Sequence, residues 1–134
     1  MILLDTCTLS YFFKKDPIVI SNFKLHSPQE LKFSTITEME IEYGFKLHPE
    51  RTLKLRPIWE KLKTQLVRIP FGEKEAFHAG LIRSYLKEKG KPIGAYDALI
   101  GATALTHHLI LATSNIKEFS YISKLEVQDW RKNT

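Results

Sequence analysis

The N-terminus constrains the fold more than any other part of this sequence. Three apolar residues, Ile2, Leu3 and Leu4, run directly into the carboxylate of Asp5 and the hydroxyl of Thr6. Such a run is typical of a strand that is buried on both faces of a parallel sheet. Ligands of open α/β sheets bind beyond the carboxyl ends of the strands, which is where a strand ending at Leu4 places Asp5. Because a buried charge without a partner is costly, we expect a metal ion at Asp5.

Length and composition are those of an ordinary globular domain. The chain has 134 residues, of which 43% are hydrophobic and 26% charged, and we expect one domain over residues 1–134. The single cysteine excludes an internal disulfide, and no apolar run approaches the ~20 residues that span a bilayer. Because no signal peptide precedes the first strand, the cytoplasm is the expected location. The net charge of +5 favours a polyanionic partner, although many basic domains have none.

Helices and strands alternate through the rest of the chain. We expect helices over 6–13 with Thr6 as N-cap, from Pro17, after Thr37, over 49–67 with a bend or break at Pro57, over 73–89, and from Asp97 to His107. Strands are expected at 31–36, 66–70 and 109–113, with a short edge strand between 125 and 130. This alternation favours the α/β class.

Large apolar side chains raise the question of what covers them. In the helix over 73–89, the spacing predicts an inward face made of Ala76, Phe77, Gly80, Leu81 and either Ser84 or Tyr85. Further large groups lie on the short helices: Tyr11, Phe12, Phe13, Phe45, Trp59 and Leu62. Either some of these face a partner protein, or the helices bury them against one another.

Glu40 is a candidate to meet Asp5. At 100° per residue, Glu38 and Glu42 share one face of the helix that follows Thr37, and Glu40 points nearly the opposite way. We expect Glu40 to lie on an inward side with Met39 and Tyr43. For Glu38 and Glu42 we expect a solvated surface and compensation of the helix dipole.

Asp97 is the second candidate. Small residues, Gly101 and Ala104, follow it at helical spacing, which predicts a face that packs closely and carries Asp97 inward. Considered alone, an ordinary aspartate in the N-cap or first turn of a helix fits Asp97 equally well.

Five segments spread over nearly the whole chain form a pattern. They are Leu4-Asp5-Thr6, Ile36-Thr37 with Glu40 and Tyr43-Gly44, Pro92-Ile93-Gly94 with Asp97 and Leu99-Ile100, Thr113-Ser114-Asn115 with Glu118-Phe119, and Asp129-Trp130. In this order they resemble the PIN-domain ribonucleases of the VapC toxin type. The chain departs from that family at Cys7, where asparagine is usual, and at Ser114-Asn115, where a fourth acid is often found.

The resemblance implies a PIN-like α/β/α sandwich around a short, mainly parallel sheet, with Asp5, Glu40 and Asp97 as catalytic acids at its carboxyl edge. Carboxylates that repel one another suit hard cations, and the implied cofactor is Mg²⁺ or Mn²⁺. Asp5 and Asp97 would be its ligands. Thr6 and Asn115 would orient the ligands, and Glu118 would have a weaker role at the site. Arg83 would contact substrate phosphate, although an ordinary surface arginine fits it too.

The implied activity is metal-dependent hydrolysis of RNA by the toxin of a toxin–antitoxin pair. The implied partners are RNA, a VapB-type antitoxin and a second copy of the chain. A catalytically inactive PIN domain that binds RNA or a protein is the alternative, favoured by Cys7 and Asn115. Other magnesium enzymes fit less well: receiver domains need an early pair of acids, and haloacid-dehalogenase phosphatases need Asp-x-Asp where this chain has Asp5-Thr6-Cys7.

Overall fold

The structure, a computed structural model, describes residues 1–132; Asn133 and Thr134, the end of the expected domain, lie outside it. Short strands alternate with helices along this range. In order the elements are β1 (Ile2–Leu4), α1 (Thr6–Phe13), α2 (Pro17–Lys24), β2 (Leu31–Ser34), α3 (Thr35–Leu47), α4 (Pro49–Gln65), β3 (Val67–Ile69), α5 (Glu73–Glu88), α6 (Ala95–Thr106), β4 (Ile110–Ala112), α7 (Ile116–Phe119) and β5 (Val127–Gln128). A 3₁₀ turn, Pro28–Glu30, precedes β2.

The five strands form one parallel sheet in the order β3-β2-β1-β4-β5. The first strand of the chain is therefore the central one. Ile2 lies opposite Leu31 of β2 on one side and opposite Ile110 of β4 on the other. The predicted α/β class is confirmed, and each predicted strand is present, although shorter than expected.

Helices cover both faces of the sheet. Side chains of β1 alternate between two separate cores: Ile2 and Leu4 enter the core under α1 to α4, and Leu3 enters the core under α5, α6 and α7. Because successive residues of a strand point to opposite faces, three apolar residues in a row are what a central strand of a three-layer structure needs. The expected α/β/α sandwich is confirmed.

The inward face predicted for α5 is wrong. The helix buries Glu75, Ala79, Ile82 and Leu86, whereas the predicted residues are exposed. The larger ones are uncovered to a considerable extent: Phe77 by 65%, Leu81 by 55% and Tyr85 by 46%. An acidic residue, Glu75, occupies the buried face because its carboxylate accepts hydrogen bonds from the N–H of Gly72 and pairs with His107 at 2.7 Å.

The large apolar groups of α1, α3 and α4 are buried by one another. Trp59, Leu62 and Phe45 are buried, and Tyr11, Phe12 and Phe13 pack against the same core. The chain itself therefore covers much of this apolar surface, as the second expectation states, while Tyr11, Phe12 and Phe13 remain partly exposed. Pro57 lies inside α4 without splitting it. Within residues 1–132, no helix is both long and apolar enough to cross a membrane.

Candidate active site

Asp5 lies where the central strand ends. It rather than Thr6 is the N-cap of α1, since Oδ1 accepts a 2.8 Å hydrogen bond from the N–H of Thr8. The residue is only 2% exposed. Burial raises the pKa of its carboxyl from 3.8 to about 6; hydrogen bonds from Thr113 and Thr8 lower it, and the negative charge of Asp97 adds to the rise. Asp5 is a buried acid whose charge is only partly compensated.

Asp97 stands in the first turn of α6, which begins after Gly94. Its side chain is half-buried, and burial is the largest cause of its raised pKa. The charges of Glu40 and Glu118 raise that pKa further, while a hydrogen bond from Asn115 lowers it. Asp97 thus connects electrostatically to Asp5 on one side and to Glu40 and Glu118 on the other.

Glu40 is tied to the start of α1. Its Oε1 accepts a 2.6 Å hydrogen bond from the hydroxyl of Thr6. The side predicted for it is wrong in part: the buried face of α3 consists of Thr37, Ile41 and Phe45, and the neighbours expected to accompany Glu40, Met39 and Tyr43, are exposed. Glu40 lies at the edge of that face, half-buried and directed toward Thr6.

Several acids outside the site, Glu38 and Glu42 among them, have basic partners. Glu38 accepts two hydrogen bonds from Arg68, the shorter 2.8 Å, and Glu42 accepts two from Arg56, the shorter 2.7 Å. These arginines lower the pKa of both glutamates, which are therefore ion-paired rather than solvated as expected. Across residues 1–132, by contrast, no ion pair includes Asp5, Glu40, Asp97 or Glu118.

The described residues contain no compact group of three histidine, cysteine, aspartate or glutamate side chains ready to hold an ion. The acids at the carboxyl edge therefore do not form a compact cluster, and their mutual repulsion favours such spacing. Mg²⁺ keeps several waters and is bound through only one or two carboxylates, so a wide site suits it. The donor set of carboxylate and amide oxygens at Asp5, Asp97 and Asn115 fits a hard divalent cation.

Two further residues of the site, Thr8 and Thr113, follow from the fold alone. Both are buried: the N–H of Thr8 donates to Asp5, and the hydroxyl of Thr113 lowers the pKa of Asp5. Thr8 also donates to the carbonyl of Ala112, across 104 residues of sequence, at 2.8 Å. The thiol of Cys7 lies among the acids: burial and then Asp5 raise its pKa, and Ser114 lowers it by a hydrogen bond. A thiol in that state stays protonated at neutral pH and is a poor metal ligand.

The remaining predicted site residues lie farther out. Glu118 is exposed on α7, yet it is near enough to raise the pKa of Asp97. Arg83 is exposed on α5 and lines a cavity with Lys87, Pro92 and Ile93, at the loop that leads to α6. It contacts none of the acids of the site in any hydrogen bond or ion pair of the described residues.

The parallel three-layer fold and the acids at its carboxyl edge define a class of protein. The model of the PIN-domain family matches residues 2–125, and the chain belongs to that family. Within it, the chain is similar over nearly its whole length to VapC ribonucleases. The tRNA(fMet)-specific endonuclease VapC of Salmonella typhimurium is 34% identical over 131 residues, which cover 96% of each chain.

Solved structures agree with this assignment. The chain resembles the crystal structure of DNA-bound VapBC from Salmonella typhimurium with a TM-score of 0.85 and 33% identity, over 96% of this chain and 97% of that one. VapBC-1 from nontypeable Haemophilus influenzae gives a TM-score of 0.85 and 32% identity, over 98% of this chain and 100% of that one. The resemblance inferred from the five sequence segments is confirmed.

Proposed function

We propose that this protein is an endoribonuclease dependent on Mg²⁺ or Mn²⁺ and the toxin of a VapBC-type toxin–antitoxin pair, acting as one nuclease domain on cytoplasmic RNA. The observation that carries the proposal is the set of acids at the carboxyl edge of the sheet. Asp5 and Asp97 have raised pKa values and no basic partner among the described residues, whereas acids such as Glu38 and Glu42 are paired with arginines. Membership of the PIN-domain family supports the same reading.

Each residue has a role in hydrolysis of the phosphodiester. Asp5 and Asp97 would hold the cation, and Asn115 orients Asp97 through its hydrogen bond. When bound, the ion supplies positive charge at the phosphodiester and makes water more acidic. Glu40, held by Thr6, orients the attacking water and accepts its proton. Water then adds to phosphorus, the bond to the 3′ oxygen breaks, and the departing oxygen takes a proton from solvent, which leaves a 5′ phosphate on one product and a 3′ hydroxyl on the other.

Cleavage-site mapping on total cellular RNA tests the proposal. We expect defined cuts with Mg²⁺ or Mn²⁺, none in EDTA, and none with Asp5→Asn. Transfer RNA is the first substrate to examine, because a relative is named as a tRNA(fMet)-specific endonuclease. Binding of RNA without any cutting at millimolar Mg²⁺ and Mn²⁺ would support the alternative, an inactive PIN domain.

A VapB-type antitoxin is the proposed protein partner. Structures similar to this chain are those of VapBC complexes from Salmonella typhimurium and Rickettsia felis. Inhibitors that place a basic side chain among carboxylates compete with the metal for the same charge. Expression of the chain alone should therefore slow growth more than expression of Asp97→Asn, and an antitoxin should remove the difference.

A homodimer is the second proposed assembly, and α5 supports it. Lys74, Phe77, Leu81, Tyr85 and Glu88 form one stripe along this helix, with Leu81 at its centre. Two copies of α5 related by an antiparallel two-fold at Leu81 would place Phe77 opposite Tyr85 and Lys74 opposite Glu88. The stripe is therefore complementary to itself in both shape and charge, as an isologous interface requires.

A further inference from the structure

A groove leads away from the acidic site between α1, α3 and α4. Its inner part, a cavity of about 150 Å³, begins at Thr6 and Glu40. An outer cavity of about 360 Å³ adjoins it, and Ser10, Phe13 and Leu55 line both. The groove is therefore continuous from the proposed catalytic residues to the outer surface of α4.

The outer end of the groove is basic. Lys14, Arg51 and Lys54 line it, and no ion pair among the described residues involves any of the three. Lys14 lies over the ring of Tyr11 at 5.5 Å. The nearest acid along α4, Glu50, lies 3.9 Å from His48 instead. Three of the other four arginines, Arg56, Arg68 and Arg131, bind carboxylates, and the fourth, Arg83, lines a cavity on α5. The three cations that line the groove are therefore available to an anionic ligand.

Gly44 keeps the inner part of the groove open. It lies within α3, and a Cβ built there would have no atom within 4 Å. Glycine inside a helix is less favourable than alanine by about 1 kcal/mol. Neither a close contact within residues 1–132 nor a positive φ explains why glycine occupies position 44. Gly80 is equally open, so what sets Gly44 apart is its place in the groove beside Glu40, where it leaves room for a ligand to approach the backbone of α3.

We infer that this groove binds the RNA strand on one side of the scissile bond, with Arg51 and Lys54 holding its phosphates. The polyanionic backbone matches the unpaired cations, and bases stack on apolar and aromatic surface such as that of Phe13 and Leu55. The scissile phosphodiester would lie at the acids, and the next phosphates along the strand would reach α4. This inference rests on the proposed ribonuclease function and assigns it a substrate path.

Binding of RNA measured in EDTA tests the path without cleavage. The probe is a fluorescent twelve-nucleotide RNA, and the variants are Arg51→Ala with Lys54→Ala, and Gly44→Leu. The charge control is Lys24→Ala with Lys61→Ala, which removes the same charge from exposed lysines outside the groove. The steric control is Gly80→Leu, because Gly80 is also a helix glycine with no atom within 4 Å of a Cβ.

We expect the double groove variant to weaken binding on the order of tenfold and to make the slope of log Kd against log salt shallower by about 1.4. Gly44→Leu should weaken binding similarly, and neither control should. Cleavage of a dinucleotide, which is too short to reach α4, should be equal in the wild type and the two control variants.

Two results separate the possible failures. If the wild-type protein cuts no RNA but the groove variants still lose binding, the ribonuclease function fails and the path stands. If groove variants and controls bind RNA alike, the path is wrong. Loss of antitoxin binding by the groove variants in that second case would assign the groove to the antitoxin.

Discussion

The hydroxyl of Thr6 donates a 2.6 Å hydrogen bond to Oε1 of Glu40, joining the start of α1 to the second turn of α3. The same hydroxyl lies 3.3 Å from that of Thr37, which is buried. The Thr6 side chain thus fixes one acid of the site from the residue next to another, Asp5. Thr6 can make this connection because it lies only two residues past the end of the central strand.

Replacing Thr6 by valine should impair catalysis more than stability. The change keeps the shape of the side chain but removes the donor, so Glu40 loses its fixed orientation. We expect kcat on RNA to fall roughly tenfold, and the free energy of unfolding to fall by about 1 kcal/mol. Thr6→Ser keeps the hydroxyl and should retain most of the activity. Equal loss of kcat in both variants would argue against an orienting role for the hydroxyl.

Replacing Asp5 by asparagine should stabilise the metal-free protein at neutral pH. The pKa of Asp5 is about 6 in the folded state against 3.8 as a model value, so the folded protein binds more protons between these pH values. Stability in EDTA therefore falls as pH rises from about 4 to about 6. At about 1.4 kcal/mol per pKa unit the destabilisation reaches roughly 3 kcal/mol above that window.

Thermal unfolding in EDTA measures this effect. The melting temperature of Asp5→Asn should equal that of the wild type near pH 4 and exceed it above about pH 6. Asparagine keeps an oxygen that can accept from the N–H of Thr8, so the cap of α1 survives. Asp16→Asn changes the N-cap aspartate of α2 and should show no such gain. A variant Asp5→Asn that melts below wild type at neutral pH would assign Asp5 a structural role.

Two helix glycines should respond oppositely to alanine. A Cβ at Gly80 would have no atom within 4 Å, so Gly80→Ala should stabilise the protein by about 0.5 to 1 kcal/mol through helix propensity. A Cβ at Gly101 would lie 2.9 Å from Cδ1 of Ile122 and 3.4 Å from Cε1 of Phe119. Overpacking of this buried contact should outweigh propensity and cost about 1 kcal/mol net. Chemical denaturation of both variants compares them directly.

Replacing Leu81 by glutamate should disrupt the proposed homodimer. The side chain is the centre of the stripe on α5, and a pair of carboxylates facing each other across a two-fold axis repel. Light scattering should report a dimer for the wild type and a monomer for the variant. Leu53→Glu is the matched control, because Leu53 is 83% exposed on α4, outside the stripe. A monomeric wild-type protein, or a dimer that tolerates both changes, would contradict this interface.

The positions of Asp5 and Asp97 in the fold could be predicted from sequence because each adjoins an element end that the sequence marks clearly. Asp5 follows an unmistakable apolar strand, and Asp97 follows Gly94 in the first turn of a helix. The threonines that hydrogen-bond Asp5 could not be found in this way. Thr8 and Thr113 act through the pairing of β1 with β4, and nothing in their local sequence indicates that pairing.

Hydrophobic periodicity predicts the wrong buried face for α5, and the reason is physical. Its sequence contains two apolar stripes, one of Phe77, Leu81 and Tyr85 and one of Ala79, Ile82 and Leu86, whose centres are about 130° apart around the helix. The first stripe is more apolar in sequence, yet the second is buried. Glu75 lies with the buried stripe because His107, 32 residues away, provides its partner. The hydrophobic periodicity of α5 contains no information about a partner so distant in the sequence.

Binding of Mn²⁺ followed by electron paramagnetic resonance tests most directly whether Asp5 and Asp97 form a cation site. The signal of free Mn²⁺ should fall as wild-type protein is added at neutral pH, where Asp5 is ionised. Asp5→Asn and Asp97→Asn should each weaken the binding at least roughly tenfold, since each removes a charged ligand from a site with few of them. Glu42→Gln, which changes an acid paired with Arg56, should bind as wild type does. Wild-type protein that leaves millimolar Mn²⁺ free, or aspartate variants that bind it unchanged, would contradict a metal site at these residues.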